Sequence, residues 1–185
     1  GLGDVYKRQT YMLAGGQWAP TDNYYLRWGN EPVTYSAFYP VTEGTSVANF
    51  SLPINQQSLE NLASADYMTC TVEDAINEGS GVLHLNMNRR MAKVIMTLDD
   101  IDSQSKALGV KIGSYQGYTD GNVSSGTALV SPYVTIPEGG KAGQSGCKYT
   151  AIVAPGAANP NSTFVSLNYK GEDLSLIHIS EPTRQ

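Results

Sequence analysis

The sequence LHLNMNRRMAKVIMTL, residues 83–98, decides the fold class. Apolar side chains alternate along it, first on one parity and then on the other: Leu83, Leu85 and Met87, followed by Ala92, Val94, Met96 and Leu98. Such alternation predicts a long strand with one face on a core, and a β-bulge near residues 89–91 would keep both halves facing that core. Leu, Met, Arg and Ala also favour helices, but the alternation and the ending VIMT favour a strand.

The composition of the whole chain points to the same class. The 185 residues are 41% hydrophobic, which is enough for one or at most two domains with a core, and a single sandwich-sized domain is expected. The chain has 19 Gly, 12 Tyr and only 16% charged residues, as in a turn-rich β protein rather than a helical bundle. An all-β fold is therefore predicted.

The two ends of the chain differ from the rest. GLGDVYKRQ (1–9) and SLIHISEPTRQ (175–185) resemble peptides translated from sequencing-adapter DNA, so we leave them out of the fold prediction. We expect one domain over residues 10–174, cut from a protein that is longer in both directions.

Short strands separated by Gly-, Ser-, Asn- and Pro-rich spacers predict a sandwich or a barrel. One helix of one or two turns is predicted at residues 58–65, where Ser58 can cap it. Besides 83–98, the predicted extended segments are 10–13, 24–28, 33–39, 48–52, 69–72, 108–112, 128–130, 133–136, 148–154 and 163–169.

The net charge of −5 and the absence of a Lys/Arg cluster argue against nucleic acid as a partner. No apolar run is long enough to cross a bilayer, so no transmembrane segment is predicted. Cys70 and Cys147 are too few for a disulfide framework and lack the spacing of a metal site. Buried free thiols are expected, and a single bridge between them stays open as an alternative.

Few residues could carry chemistry. His84, the one histidine of residues 10–174, is expected to face solvent from the strand. Three acidic pairs or turns are expected to be solvated: Glu73-Asp74, Asp99-Asp100 and Asp120-Gly121. Arg89-Arg90 could bind an anion, but a rim position beside the bulge is preferred. We therefore assign no catalytic, cofactor-binding or metal-binding residue, and we do not expect an enzyme.

Aromatic residues near the start offer a further alternative. Trp18, Tyr24, Tyr25 and Trp28 could form a sugar-stacking platform, as in a carbohydrate-binding sandwich or a monomeric adhesin. Aromatic strands more often pack a core, and core packing is the preferred interpretation.

Several motifs taken in order resemble the fimbrillin family, the FimA-like and Mfa-like fimbrial subunits of Bacteroidetes-type bacteria. The motifs that carry the resemblance are VTYSAFYP (33–40), FSLP (50–53), Gln56-Gln57, Asp66-Tyr67-Met68, NRRMAKVIMTL (88–98), YTAIVAP (149–155) and residues 163–171. Arg89 departs from the pattern, since family members often have histidine there.

The resemblance implies a transthyretin-like β-sandwich of Greek-key type, here an incomplete N-terminal domain. It further implies an exported lipoprotein of the outer membrane or fimbrium that matures by proteolysis. Its partners would be other fimbrial subunits joined by strand addition, with a host protein or glycan receptor as a further expectation. The lipidated cysteine, the protease site and the donor strand are expected to lie outside these residues.

Overall fold

The computed structural model describes residues 8–156 and 162–176, and β-strands dominate it. The strands are Tyr11–Ala14 (β1), Gln17–Pro20 (β2), Val33–Tyr39 (β3), Phe50–Ser51 (β4), Met68–Ala75 (β5), Asn88–Arg89 (β6), Ala92–Thr97 (β7), Ala107–Tyr115 (β8), Gly117–Thr119 (β9), Asn122–Val123 (β10), Thr127–Val130 (β11), Tyr133–Thr135 (β12), Lys148–Val153 (β13), Val165–Tyr169 (β14) and Glu172–Leu176 (β15). One helix, Leu59–Ser64 (α1), lies between β4 and β5. The prediction of an all-β chain with one short helix is confirmed.

The described residues form two compact units. The smaller comprises residues 8–36 and 71–86, and it contains the hairpin of β1 and β2. The larger comprises residues 37–70, 87–156 and 162–176, and it contains the main core. The boundary between the units passes through β3 and β5.

Two antiparallel sheets make up the centre of the larger unit. One has the strand order β11-β8-β14-β15 and the other the order β12-β13-β7. Side chains from both sheets meet in the same buried clusters, Ile112, Val130 and Val153 in one and Val110 and Tyr149 in the other. The two sheets therefore pack face to face as a β-sandwich, as the sequence predicts.

A group of aromatic side chains extends this core beyond the two sheets. The rings of Phe50 and Tyr67 stack with centroids 4.7 Å apart, and the ring of Tyr118 lies 5.3 Å from that of Tyr67. The hydroxyl of Tyr67 donates a hydrogen bond to the carbonyl of Ser46 at 2.8 Å, so its polar end is satisfied although the residue is buried.

The stretch 83–98 is a strand only in its second half. In β7 the side chains of Ala92, Val94 and Met96 point inward, and the following Leu98 is buried, so the predicted alternation is confirmed here. The predicted β-bulge within one strand is wrong: Arg90 and Met91 separate β6, which pairs with β5, from β7, which pairs with β13 in another sheet. The prediction of a strand over residues 83–87 is wrong: no strand forms there, and Leu85 is exposed.

Local signals account for two other features. The Ser58 side chain accepts a hydrogen bond from the backbone N–H of Asn61 at 3.1 Å, which confirms the predicted cap of α1. Gly109 has φ +57, and the pairing of β8 with β14 shifts by one residue beside it. A left-handed glycine at this point forms a bulge, which lets Ala107 and Val110 both face the core.

Most of the other predicted strands are present, with small changes in their bounds. The predicted aromatic strand at residues 24–28 is wrong, because no strand forms there. The sequence did not predict β2, β9, β10 or β15, which are short or begin beside a tight turn. Ser175 and Leu176 belong to β15, and the rest of the stretch 175–185 lies outside the described residues.

Candidate assembly interface

The two sheets of the sandwich have unequal numbers of strands. β11 leads directly into β12 through Ser131 and Pro132, so the β11 and β12 edges lie on the same side. The sheet ending in β15 has four strands, whereas the sheet ending in β7 has three. Among residues 8–156 and 162–176, no strand therefore lies beside β7 to face β15. We call this side of the sandwich, between β7 and β15, the open side.

Apolar side chains of β15 face the open side. Val130, Ile112, Val165 and Leu176 lie opposite one another on successive strands, on the core face. Their exposure is 0%, 0% and 8% for the first three, but 49% for Leu176. Leu174, paired with the partly buried Leu167, is 47% exposed. On the core face of this sheet, the leucine side chains of the last strand, β15, are thus about half exposed to solvent.

The opposite wall of the open side is β7. Within the described part of the chain β7 pairs with β13 alone, through a register that includes Val94 with Ala151 and Met96 with Tyr149. Val94 and Met96 are partly buried and point toward the core, while Ile95 is 57% exposed on the outer face. The free edge of β7 therefore offers backbone hydrogen-bonding groups next to apolar side chains.

A tight turn and an ion pair hold β15 in place. Lys170 and Gly171 have φ +53 and +79, and they connect β14 to β15 with a regular antiparallel register. The Lys170 ammonium lies 3.3 Å from an Asp102 carboxylate oxygen, and the Asp102 backbone N–H donates to the Tyr169 hydroxyl at 3.1 Å. The backbone N–H of Gln104, together with Lys170, lowers the pKa of Asp102. The Asp102 carboxylate in turn raises the pKa of Lys170.

The two predicted rim arginines diverge. Arg89 Nε lies 2.9 Å from Asp66 Oδ2, with the Arg89 side chain exposed and the Asp66 side chain partly buried. The Arg90 guanidinium lies over the Tyr118 ring, 5.2 Å from its centroid. The backbone N–H of Arg90 donates to Tyr67, and its carbonyl accepts from the Tyr118 hydroxyl. The pair therefore fixes the interruption between β6 and β7 rather than forming an anion site.

The residues considered for catalysis or metal binding lie apart from one another. His84 is exposed outside any strand. Asp100 and Asp120 have φ near +50, as expected for solvated turn residues, whereas Asp74 has φ +49 within β5 and is exposed. Within the described ranges no three His, Cys, Asp or Glu side chains are grouped closely enough to hold a metal ion.

Both cysteines are buried and free. The Cys147 thiol lies 3.2 Å from the Lys141 carbonyl and donates a hydrogen bond to it. The expectation of buried free thiols is thus confirmed, and the alternative of a bridge is wrong for this structure.

The preference for core packing of the early aromatic residues is wrong for three of the four. Trp18, Tyr24 and Tyr25 are 65%, 73% and 65% exposed. Only Trp28 is partly buried, and its ring meets the ring of Tyr35 edge-on at 5.7 Å. The sequence could not show this, because aromatic residues are frequent both in strands and at binding surfaces.

The residues of the open side were not predicted from the sequence. Leu174 stands at the end of the predicted domain, and Leu176 falls in the excluded stretch 175–185. The signal that could have found β15 is Lys170-Gly171, a turn dipeptide followed by the alternating Leu174 and Leu176.

Comparison with known proteins identifies one family. A family model described as fimbrillin-like matches residues 3–184, nearly the whole chain. Comparisons with curated proteins and with solved structures find no significant match. In the described residues, no helix is long and apolar enough to cross a membrane.

Proposed function

The chain belongs to the fimbrillin-like family, and from this premise we propose that it is a structural subunit of cell-surface fimbriae that joins other subunits by strand addition. The observation that carries the proposal is the open side, where the core face of β15 is half exposed and β7 has a free edge. Its partners are other fimbrial subunits, either copies of itself or related chains.

Strand addition would pair the free edge of β7 and cover the exposed leucine side chains of β15. A strand laid beside β7 receives hydrogen bonds from an edge that otherwise faces solvent. Its inward side chains cover Leu174 and Leu176, each about half exposed. Covering the remaining half of a leucine contributes about 1 kcal/mol, and each new hydrogen bond contributes about 0.5–1.5 kcal/mol. A donor segment with alternating apolar residues supplies both contributions at once.

We further propose that the protein is exported and reaches the fimbrium or the outer membrane as a lipid-anchored precursor with a transthyretin-like strand topology. The family's structural role supports a non-enzymatic function. Adhesion to a host protein or glycan is part of the same proposal. Fractionation of cells that express the intact gene tests the location, and recovery only in the cytoplasm would contradict it.

Cross-linking of the processed protein, purified from cells that express the intact gene, tests strand addition, because the donor strand is expected to lie outside residues 10–174. The wild-type chain is expected to give a ladder of multimers on a denaturing gel. The double variant Leu174→Lys/Leu176→Lys is expected to remain monomeric, because two ammonium groups on the open side prevent the donor from packing. Circular dichroism must show that the variant is folded, so that the loss of multimers reflects blocked assembly and not unfolding.

A matched control separates the open side from general surface effects. Leu129 is 48% exposed on the outer face of β11, so Leu129→Lys changes the same chemistry at the same exposure. This control is expected to form the wild-type ladder. An unchanged ladder in the double variant, or a wild-type chain that stays monomeric, would overturn strand addition at this site.

A further inference from the structure

The smaller unit carries exposed aromatic residues, whereas the open side belongs to the larger unit. In the hairpin, Tyr11 pairs with Pro20 and Leu13 pairs with Trp18. Because side chains on one strand alternate and paired residues share a face, these four residues lie on the same face of the hairpin. Leu13 and Trp18 are 55% and 65% exposed there, while Pro20 is buried. The hairpin thus exposes the indole ring of Trp18 on a face whose other apolar residues include the buried Pro20.

The segment after β2 folds back toward this face. The backbone N–H of Leu26 donates to the Tyr11 hydroxyl at 3.5 Å, which places the segment beside Tyr11. Asp22 accepts a hydrogen bond from the backbone N–H of Tyr24 at 3.1 Å, which shapes the turn. Tyr24 and Tyr25 are 73% and 65% exposed. Three aromatic side chains, Trp18, Tyr24 and Tyr25, are therefore exposed within eight residues of sequence, one on the hairpin face and two on the segment that reaches Tyr11.

The polar groups around these rings are almost uncharged. Residues 9–26 contain a single charged side chain, Asp22. Amide and hydroxyl side chains stand between the aromatic residues, namely Gln9, Thr10, Gln17, Thr21 and Asn23. The nearest cationic side chains in sequence, Arg8 and Arg27, flank this stretch and do not stand between its aromatic residues. A flat apolar protein surface would leave the amides and the carboxylate without hydrogen bonds, at a cost for each group.

We propose that this aromatic surface binds a neutral oligosaccharide. The C–H faces of its sugar rings stack on Trp18, Tyr24 and Tyr25, and its hydroxyl groups bond with the Gln17 and Asn23 amides and the Asp22 carboxylate. A sugar ring has apolar C–H faces and polar hydroxyl groups at its edge. The faces match the aromatic rings of this surface, and the hydroxyl groups match its amides. The proposal rests on the proposed adhesion to a glycan and specifies its site, but it does not depend on strand addition, because its residues belong to the smaller unit and the open side belongs to the larger.

Isothermal titration calorimetry of the full chain tests the proposal. The probes are cellohexaose, laminarihexaose and mannohexaose, with a heparin hexasaccharide as the charged comparison. At least one neutral probe is expected to bind, and the heparin probe is not. Trp18→Ala is expected to weaken that binding about tenfold or more, as removal of a stacking ring does.

Two further variants make the result specific. Trp18→Phe retains an aromatic ring and is expected to lose less affinity than Trp18→Ala. This comparison distinguishes the loss of ring stacking from destabilisation of the hairpin. Tyr39→Ala removes an exposed aromatic residue of the larger unit, 37% exposed, and is expected to bind as the wild type does. The cross-linking ladder of Trp18→Ala is expected to equal that of the wild type.

Three outcomes would overturn the proposal. The first is that none of the neutral probes binds the wild-type chain. The second is that Trp18→Ala binds the neutral probe as tightly as the wild type. The third is that Trp18→Ala loses the multimer ladder while its sugar binding is unchanged, since the surface would then be a contact between subunits.

Discussion

The Gln56 side chain bonds to both backbone polar groups of Ile152, ninety-six residues further along the chain. Its Nε2 donates to the Ile152 carbonyl at 2.8 Å, and its Oε1 accepts from the Ile152 N–H at 2.8 Å. Gln56 is fully buried, so its amide takes the place of a strand residue next to β13. This contact gives a structural role to one of the residues that carry the family resemblance.

Replacement of Gln56 is expected to destabilise the fold strongly. Gln56→Leu leaves the N–H and the carbonyl of Ile152 without these partners, and the free energy of unfolding should fall by about 2–4 kcal/mol. Urea unfolding measures the change. Gln57→Leu is the matched control, since Gln57 is exposed, and it should change stability by less than about 0.5 kcal/mol. Equal effects of the two variants would contradict the role of Gln56.

Gly117 is expected to tolerate no side chain. Its φ is +140, and a Cβ atom there would lie 1.9 Å from the Phe50 carbonyl oxygen. Gly117→Ala must push β9 away from β4, so its free energy of unfolding should fall by about 2 kcal/mol or more.

Gly29→Ala provides the control for that measurement. The nearest atoms to a Cβ at Gly29 are 3.9 Å away, and no left-handed backbone is required there. Its stability should stay within about 0.5 kcal/mol of the wild type. A Gly117→Ala chain as stable as the Gly29→Ala chain would show that β4 and β9 do not approach so closely.

Alkaline pH is expected to weaken the fold through Tyr67. Burial raises the pKa of Tyr67, and the nearby Arg90 guanidinium offsets only part of that rise. The folded state therefore holds the phenolic proton more tightly than the unfolded state does. This contribution to stability is complete below the unfolded pKa of about 10, and it is lost as the pH rises through the higher folded value.

Unfolding experiments from pH 8 to pH 11 measure this effect. The wild-type chain should lose stability above pH 9, and Tyr67→Phe should lose less over the same range. Tyr149, whose pKa burial also raises, accounts for part of the slope that remains. An identical slope in Tyr67→Phe would exclude Tyr67 as a source of the pH dependence.

Both thiols are expected to be protected in the folded protein. Cys70 is 7% exposed and Cys147 is 0% exposed, so a thiol reagent such as DTNB should react slowly with either. After unfolding in guanidinium chloride, two thiols per chain should react. If no thiol reacted with DTNB after unfolding, the chain would contain a disulfide, in conflict with this structure.

Local patterns predicted the elements that bury a regular face. The alternation from Ala92 to Leu98 and the cap at Ser58 act within a few residues, and both are present in the structure. The same alternation occurs at Leu83, Leu85 and Met87. No neighbouring strand pairs with these residues, so they form no strand. β-Propensity describes the fit to a neighbouring strand, and the sequence does not state which neighbours exist.

The open side depends on pairings between distant parts of the chain. It follows from the strand orders of two sheets, which join β8 to β14 and β7 to β13. The exposed aromatic surface was visible in the sequence as a cluster of residues, but not as exposed rings. Exposure depends on what packs above a side chain, and no local pattern carries that information.

The direct passage from β11 to β12 also limits how subunits can join. Residues 54–56 bond to Ser131 on that side, where Gln56 N–H donates to the Ser131 carbonyl and Ser131 N–H donates to the Ile54 carbonyl. Between the two central sheets of the described residues, the proposed strand addition is then confined to the open side. Under the proposed strand addition, subunits that accept one strand at the open side and donate one strand would form an unbranched filament whose two ends differ, so growth would have a direction.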